Sequence, residues 1–393
     1  MTIVFDSGAG SVPSAHLLAI GVGRYPHLLG GEMNLADNPL GLKQLDSPPV
    51  SVKAIIDWFL APLMAGGRVG FTNEAAPLGT IRALASAPAS VSIETPKGSV
   101  TLDSATKGNI DKAFADWLAA VKSNDTNIGI FYFCGHGVMV SDHYLLAEDF
   151  GDSRQPWTKA FDVTSTIRAV EREAHGALYF FLDACREVSR ELSLSVGANP
   201  LALIPADLKV GVARKSLTCI SATGEGELAF APTGGKVSRF TTALLTALSG
   251  FAGSKTVGQP SWEVDGEALA SAIRKLLEYE WEQARSQKDR RLQVSDQNIN
   301  GSSFPLIRLA AAPRVAVEIN YLPEDMRARY ELYVKSAQAS VVQSRRNQCL
   351  VTDVPMGVYT VGAEDPDGVH EADIRPDEDL RPPRYSLDLG ARR

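Results

Sequence analysis

The sequence of 393 residues is poor in cysteine and has no excess of basic residues. Its four cysteines, at positions 134, 185, 219 and 349, have neither the paired spacing of a zinc site nor the density of a disulfide framework. Scattered cysteines of this kind are typical of reduced proteins in the cytoplasm, where we expect this protein to be located. Nucleic-acid binding depends on a surface rich in Lys and Arg, whereas this protein has a net charge of −7, so no nucleic-acid partner is predicted.

Long hydrophobic runs are also missing. The amino-terminal residues contain neither the basic segment nor the apolar core of a secretory signal. The apolar run at residues 17–22 is far shorter than the roughly 18 residues that a membrane-spanning helix requires, and we predict no membrane partner. The apolar share of 45% and the charged share of 22% are those of an ordinary globular protein.

The chain up to about residue 310 alternates apolar runs with amphipathic segments. The continuous runs predict strands that are buried on both faces, at residues 16–22, 127–134, 177–182 and 215–222. A last strand is expected at residues 304–309. Apolar residues at helical spacing predict helices near residues 47–63, 110–121, 162–174, 240–248 and 267–287. This order predicts an α/β fold with a mostly parallel sheet and helices on both of its faces.

The hydrophobic pattern of the sequence changes near residue 310, from long apolar and amphipathic segments to short alternating runs. We therefore expect two domains. The α/β domain covers residues 1–310 and contains a connector, at about residues 190–215, that is rich in small and polar residues. After a linker, short alternating runs begin near residue 315 and are separated by turn residues. This pattern predicts a small all-β sandwich domain over residues 313–393.

Two of the predicted strands lead into residues that can act together in catalysis. The run at residues 127–134 is followed by His136, which is flanked by glycines, and the run at residues 177–182 is followed by Cys185. The carboxyl ends of parallel strands meet at one edge of an open α/β sheet, where ligands bind. A histidine that takes the proton of a cysteine generates a thiolate nucleophile, so this pair predicts a cysteine protease. The amides of Gly137 and Cys185 are the natural donors to its oxyanion.

The residues around this pair resemble the caspase and metacaspase superfamily of cysteine peptidases. The resemblance is carried by Phe133-Cys-Gly-His-Gly137 and Leu182-Asp-Ala-Cys-Arg186, which are separated by the roughly 50 residues expected between the histidine and the cysteine of a caspase. Weaker support comes from Ser-Arg-Phe-Thr at residues 238–241, which is similar to the start of a helix in the small subunit. The resemblance implies a caspase-type α/β fold, a His136–Cys185 dyad and endopeptidase activity on a protein or peptide substrate.

Asp183, two residues before the cysteine, is the expected determinant of substrate specificity. Metacaspases carry an aspartate at this position in the pocket for P1, the residue before the scissile bond, whereas caspases carry a glutamine. The resemblance therefore implies cleavage after Arg or Lys, whose charge pairs with a buried carboxylate. It also assigns Cys134 and Asp46 to substrate binding, Asp46 being the nearest counterpart of an acid from the first loop. The alternatives are a packing role for Cys134 and a role for Asp183 in hydrogen-bonding loop backbone.

The sequence says less about cofactors, activation and biological role. We predict no cofactor and no metal site, although the resemblance to metacaspases leaves calcium dependence open. By family analogy alone, we expect a protease that acts in a bacterial defence or death pathway after an activating protein partner binds its C-terminal domain. If P1 is basic, the connector is the expected site of self-cleavage, because exposed flexible segments are where nicking occurs and this one offers Arg190, Lys209, Arg214 and Lys215. The alternative is a catalytically inactive scaffold with a caspase fold that acts through the C-terminal domain. His143 and His175 are expected to be surface or loop residues.

Overall fold

The protein divides into two compact units. A computed structural model describes residues 2–8, 10, 12–67, 69–186, 200–205, 216–224, 235–255, 261–283, 292–301, 304–309, 311–336, 341–382 and 384–390. The first unit comprises Met1–Leu245 and Val264–Arg308, and the second comprises Thr246–Glu263 and Leu309–Arg393. The prediction placed residues 246–263 in the first domain, whereas the structure groups them with the second unit.

A seven-stranded sheet forms the centre of the first unit. The strands up to residue 309 are β1 (Thr2–Asp6), β2 (Ala15–Val22), β3 (Leu78–Ser86), β4 (Ser92–Thr95), β5 (Gly98–Thr101), β6 (Ile128–Gly135), β7 (Gly137–Met139), β8 (His143–Leu146), β9 (Ala160–Asp162), β10 (Ala177–Ala184), β11 (Ser216–Ser221), β12 (Trp262–Val264), β13 (Asp296–Gly301) and β14 (Ile307–Leu309). The order in the sheet is β1-β3-β2-β6-β10-β11-β13. Its inner strands are parallel, and β1 and β13 pair antiparallel at the edges, so the predicted mostly parallel sheet is confirmed.

The helices agree with those expected from apolar periodicity. They are α1 (Ser47–Leu60), α2 (Lys107–Val121), α3 (Val163–Glu173), α4 (Arg239–Thr246) and α5 (Gly266–Gln283). The hydroxyl of Thr106 accepts a hydrogen bond at the start of α2, and the carboxylate of Asp162 does so at the start of α3. Such caps replace hydrogen bonds that the first turn of a helix lacks. Among the described helices, none is long and apolar enough to span a membrane.

The two faces of the sheet carry different helices. On one face, Phe131 of β6 packs edge-to-face against Trp117 of α2, with ring centroids 6.1 Å apart. On the other face, the hydroxyl of Tyr132 lies 2.6 Å from Oγ1 of Thr241 in α4. Because side chains alternate along a strand, Cys134 shares the face of Tyr132 and points towards α1 and α4.

Two small sheets around one apolar core make up most of the second unit. Its strands are β15 (Arg314–Tyr321), β16 (Glu331–Lys335), β17 (Val342–Gln343), β18 (Leu350–Pro355), β19 (Gly357–Glu364), β20 (Asp373–Leu380) and β21 (Arg384–Leu389). One sheet has the order β18-β15-β21 and the other the order β17-β16-β19-β20. Side chains from both sheets meet in the core, among them Val317, Ile319, Leu332 and Val361. The predicted small β domain is thereby confirmed.

Two sequence expectations have a different outcome. The strand expected at residues 304–309 is present only as Ile307–Leu309, and the large sheet ends instead with β13, which was not predicted. The predicted connector lies outside the described residues except for residues 200–205, and so do Arg190, Lys209, Arg214 and Lys215, the candidates for self-cleavage. There the amide of Leu203 donates to Oγ1 of Thr166 in α3, at 3.0 Å.

Candidate active site

His136 and Cys185 stand at the ends of two paired strands. Strands β6 and β10 are parallel neighbours, and the last pair in their register joins Gly135 to Ala184. His136 and Cys185 each follow these residues by one position. Adjacent strands lie about 4.8 Å apart, so this register brings the histidine and the cysteine together at the carboxyl edge of the sheet. Cys185 is half-buried and its thiol is free of any disulfide.

The imidazole of His136 is held by the loop that follows β2. Its Nε2 lies 2.6 Å from the carbonyl oxygen of Lys43, and its backbone amide donates to the hydroxyl of Tyr25 at 2.8 Å. The ring of Tyr25 also packs against the imidazole, with centroids 4.8 Å apart. Because a carbonyl oxygen can only accept, the ring hydrogen of neutral His136 is on Nε2, and Nδ1 is left as the basic nitrogen.

Burial determines the charge of this histidine. It lowers the pKa of His136 to about 4, and the hydrogen bond to Lys43 opposes the shift. His136 is therefore neutral near pH 7 and has the protonation state of a general base. The loop that carries Lys43 and Tyr25 gave no catalytic signal in the sequence, because it contributes a backbone oxygen and a phenol rather than a motif.

Gly137 touches the backbone of the cysteine. A Cβ atom built on Gly137 would lie 2.6 Å from the carbonyl oxygen of Cys185 and 2.7 Å from Nε2 of His143. No side chain fits in that space, so glycine is required for this approach. The contact brings together the two residues that the sequence analysis selected as oxyanion donors.

His143 is buried, contrary to the expectation of a surface or loop position. It begins β8 and is 3% exposed. Its Nε2 lies 3.2 Å from the carbonyl oxygen of Cys185, and its amide donates to Oγ1 of Thr164 at 3.0 Å. Burial, together with the charge of Arg186, lowers the pKa of His143 to about 3, so the ring is neutral and donates to Cys185. Nothing local in the sequence distinguished it from an ordinary strand-flanking histidine.

Asp183 is a buried carboxylate whose partners in the described residues are neutral. It accepts hydrogen bonds from the hydroxyl of Ser238 and from Oγ1 of Thr241, the latter at 2.7 Å, and the thiol of Cys134 bonds to it as well. Burial raises the pKa of Asp183, and these three hydrogen bonds oppose the shift. Among the described residues, the partners seen for Asp183 are side chains, not the loop backbone named in the alternative.

The start of α4 connects this carboxylate to α1. Ser238 precedes the helix, and its Oγ accepts from the amide of Thr241 at 3.0 Å, which caps the helix. The amide of Ser238 donates in turn to Oγ of Ser51 in α1, also at 3.0 Å. The sequence analysis noted residues 238–241 only for their resemblance to a helix start. It did not predict that the hydroxyls of Ser238 and Thr241 donate to Asp183.

Cys134 and Asp46 differ in their surroundings. Cys134 is buried opposite Asp183 in the strand register. Burial, and then the charge of Asp183, raise the pKa of Cys134, so its thiol stays protonated. Asp46 is exposed just before α1, where its carboxylate makes no capping hydrogen bond. The described residues contain no group of three His, Cys, Asp or Glu side chains arranged to hold a metal ion.

A cation lies in the first loop, but carboxylates neutralise it. Arg24 follows β2 and forms ion pairs with Glu32 and Glu148. Glu148 is buried and also accepts from Oγ of Ser86 at 2.9 Å. The guanidinium of Arg24 is thus committed to contacts within the protein.

Sequence comparisons with known proteins identify the family of this chain. The sequence model of the caspase domain, peptidase C14, matches residues 71–295. An uncharacterized protein of Sinorhizobium fredii, y4kE, is 34% identical over 284 residues, which are 70% of this chain and 80% of that protein. The crystal structure of caspase-1 from Spodoptera frugiperda aligns with 75% of this chain and 90% of its own, with 10% identity and a TM-score of 0.38. The chain belongs to the caspase-domain family of peptidases.

Proposed function

We propose that this protein is a cysteine endopeptidase in which Cys185 is the nucleophile and His136 the base. Nδ1 of His136 takes the proton of the Cys185 thiol, and the thiolate sulfur attacks the scissile carbonyl carbon. The carbonyl electron pair moves to oxygen, where the amides of Gly137 and Cys185 stabilise the charge. His136 then protonates the leaving amine, and water, deprotonated by the same nitrogen, hydrolyses the acyl-enzyme thioester.

The contact between Nε2 of His136 and the Lys43 carbonyl is the observation that carries this proposal. The Nε2–H of His136 is occupied by the Lys43 carbonyl, 2.6 Å away, and its lowered pKa keeps the ring neutral. A neutral imidazole with Nδ1 as its basic nitrogen, one strand from a half-buried cysteine that is in no disulfide, has the parts that thiol activation requires.

For substrate choice, we assign Asp183 to the floor of a P1 pocket for Arg or Lys. A buried carboxylate surrounded by neutral donors lacks a counter-charge, which a guanidinium or ammonium supplies. An acidic P1 side chain is repelled by the same carboxylate, and Arg24 is already engaged by Glu32 and Glu148. The exposed carboxylate of Asp46 is the candidate for a second contact to the substrate cation.

Cys134 lines this pocket and does not act as a second nucleophile. Its raised pKa keeps it protonated, and its thiol bonds to Asp183. Its Cα is about 8 Å from that of Cys185, given about 4.8 Å between strands and about 6.6 Å for two residues along one. This separation is beyond the roughly 7 Å limit for a disulfide. An activating protein partner and a role in bacterial defence remain proposals by family analogy.

Hydrolysis of short fluorogenic peptides that differ only at P1 tests the proposal. We expect cleavage after Arg and Lys, none after Asp, and none by Cys185→Ala. Cleavage after Asp would retain the peptidase and discard the pocket. Silence on every peptide, with and without calcium, would favour either a scaffold or a protease that is latent until a partner binds. Cys185→Ala then separates the two, because a scaffold keeps its biological effect in this variant and a protease loses it.

A further inference from the structure

The carbonyl oxygen of Cys185 receives a hydrogen bond from a side chain of another element. Strand pairing of β10 with β6 ends one residue earlier, at Ala184. Beyond that point the ladder no longer determines the direction of the peptide plane. Nε2 of His143, 3.2 Å from the Cys185 oxygen, takes over this role from β8.

His143 is itself held rigidly. Strand β8 pairs with both β7 and β9, and the amide of His143 donates to Thr164 at the start of α3. The absence of a side chain at Gly137 leaves the space in which the ring approaches Cys185. The ring is neutral, so its one hydrogen is on the nitrogen that faces the carbonyl.

A second tether holds the residue after the nucleophile. Nη1 of Arg186 lies 2.5 Å from Oδ2 of Asp296 in β13, and the Arg186 side chain is mostly buried. Both Arg186 and His143 line a cavity of about 160 Å³ between α3 and the sheet. The backbone of Cys185 is therefore fixed from two different elements, and an open space adjoins one of the tethers.

From this geometry we infer that His143 is a positioning residue for the nucleophile. Its hydrogen bond orients the peptide plane of Cys185 and so directs the thiol towards Nδ1 of His136. The inference rests on the proposed cysteine peptidase activity and adds a residue to that site. His143 does not contact the reacting atoms, and its effect is on the alignment of sulfur and base, where a misplacement of about 1 Å costs on the order of 100-fold in rate.

The first test compares two variants of nearly equal length, His143→Gln and His143→Met. The amide of Gln can donate to the Cys185 oxygen, whereas the thioether of Met cannot. We expect His143→Met to lower kcat on a peptide with Arg at P1 by about 10- to 100-fold, with KM and melting temperature close to those of His143→Gln. His143→Gln should stay near the wild type. Equal kcat values in the two variants would overturn the inference.

A second test uses the cavity to return the missing donor. In His143→Ala, imidazole can enter the space beside Cys185, and we expect it to restore much of the lost rate. The control ligand is 1-methylimidazole, which is neutral and has no N–H at about pH 8.5, well above the ordinary imidazole pKa of about 6.5. Rescue by both ligands to the same extent would show that filled space, not the hydrogen bond, is what matters, and would overturn the inference.

Alkylation separates failure of this inference from failure of the peptidase proposal. The rate at which iodoacetamide modifies Cys185, followed by peptide mass mapping, needs no substrate. It should fall in His143→Met by a factor similar to kcat and remain unchanged in His175→Ala, at the opposite edge of the sheet. If the wild type cleaves no peptide, the alkylation rates still decide the role of His143. If the wild type cleaves peptides and His143→Met equals it in both assays, only the inference fails.

Discussion

Thr241 donates a hydrogen bond of 2.7 Å to the carboxylate of Asp183, although 58 residues separate the two in the chain. The bond joins the strand that precedes the nucleophile to the first turn of α4. It stabilises a buried negative charge without neutralising it, since a hydroxyl is only a dipole. The charge that remains is what the proposed pocket offers to a basic P1 side chain.

Replacement of that charge tests the pocket directly. In Asp183→Asn we expect kcat/KM for Arg at P1 to fall by about 10- to 100-fold, because a hydrogen bond to a charged partner contributes about 1.5–3 kcal/mol. Melting temperature should not fall, since an amide is cheaper to bury than a carboxylate. Asp57→Asn, in an exposed pair with Lys53 on α1, is the matched control and should leave both quantities unchanged. An undiminished preference for Arg in Asp183→Asn would locate the acid of P1 elsewhere.

The phenol of Tyr25 supports the histidine. Tyr25→Phe removes the acceptor of the His136 amide and leaves a buried N–H without its partner. We expect the free energy of unfolding, measured with urea, to fall by about 1–3 kcal/mol. Peptidase kcat should fall as well, because the backbone of His136 loses a hydrogen bond that helps to hold the imidazole in place. Tyr279→Phe, at an exposed site, is the control. Unchanged stability in Tyr25→Phe would mean that the amide finds another acceptor.

Close approach at Gly137 gives a steric prediction. The Cβ of Gly137→Ala would meet the Cys185 oxygen at 2.6 Å, so we expect loss of peptidase activity and a lower melting temperature, with overpacking costing about 1–3 kcal/mol. Gly108→Ala in α2, where a Cβ has nothing within 4 Å, should instead stabilise the protein by about 0.4–1 kcal/mol. Normal activity in Gly137→Ala would show that the loop has room to move.

Buried histidines predict acid sensitivity. Burial lowers the pKa values of His16 and His136 to about 4 and that of His143 to about 3. Between these values and about 6.5 the unfolded chain binds more protons, so stability is complete above pH 6.5 and is lost as the pH falls towards 4. Each histidine contributes up to about 1.4 kcal/mol per pH unit in this window. The raised pKa of Asp183 acts in the opposite sense.

Urea unfolding at pH 7 and pH 5 measures this effect. The difference between the two free energies should shrink in His16→Gln, which removes one of the three groups at the amino end of β2, far from the carboxyl ends of the strands where the candidate site lies. A difference that is the same in His16→Gln and in the wild type would show that His16 is not held neutral in the folded protein.

The strands that lead to the candidate site could be predicted because they are apolar throughout. Strands β6 and β10 are buried on both faces, and continuous apolar runs follow from that burial. Strand β13 escaped prediction for the opposite reason. It lies at the sheet edge, its residues are mostly exposed and polar, and it is held by backbone pairing with β11. Strand β20, with its acidic residues, was missed in the same way.

The apolar runs alone show which residues end the two central strands, and therefore that His136 and Cys185 lie together at one edge of a parallel sheet. Their surroundings depend on tertiary contacts: the Lys43 oxygen on His136, the hydroxyls of Ser238 and Thr241 on Asp183, and His143 on the Cys185 carbonyl. Burial leaves a pattern of apolar residues in the chain, whereas a hydrogen bond between distant segments leaves none. Its partners are chosen by register and packing, after the elements have assembled.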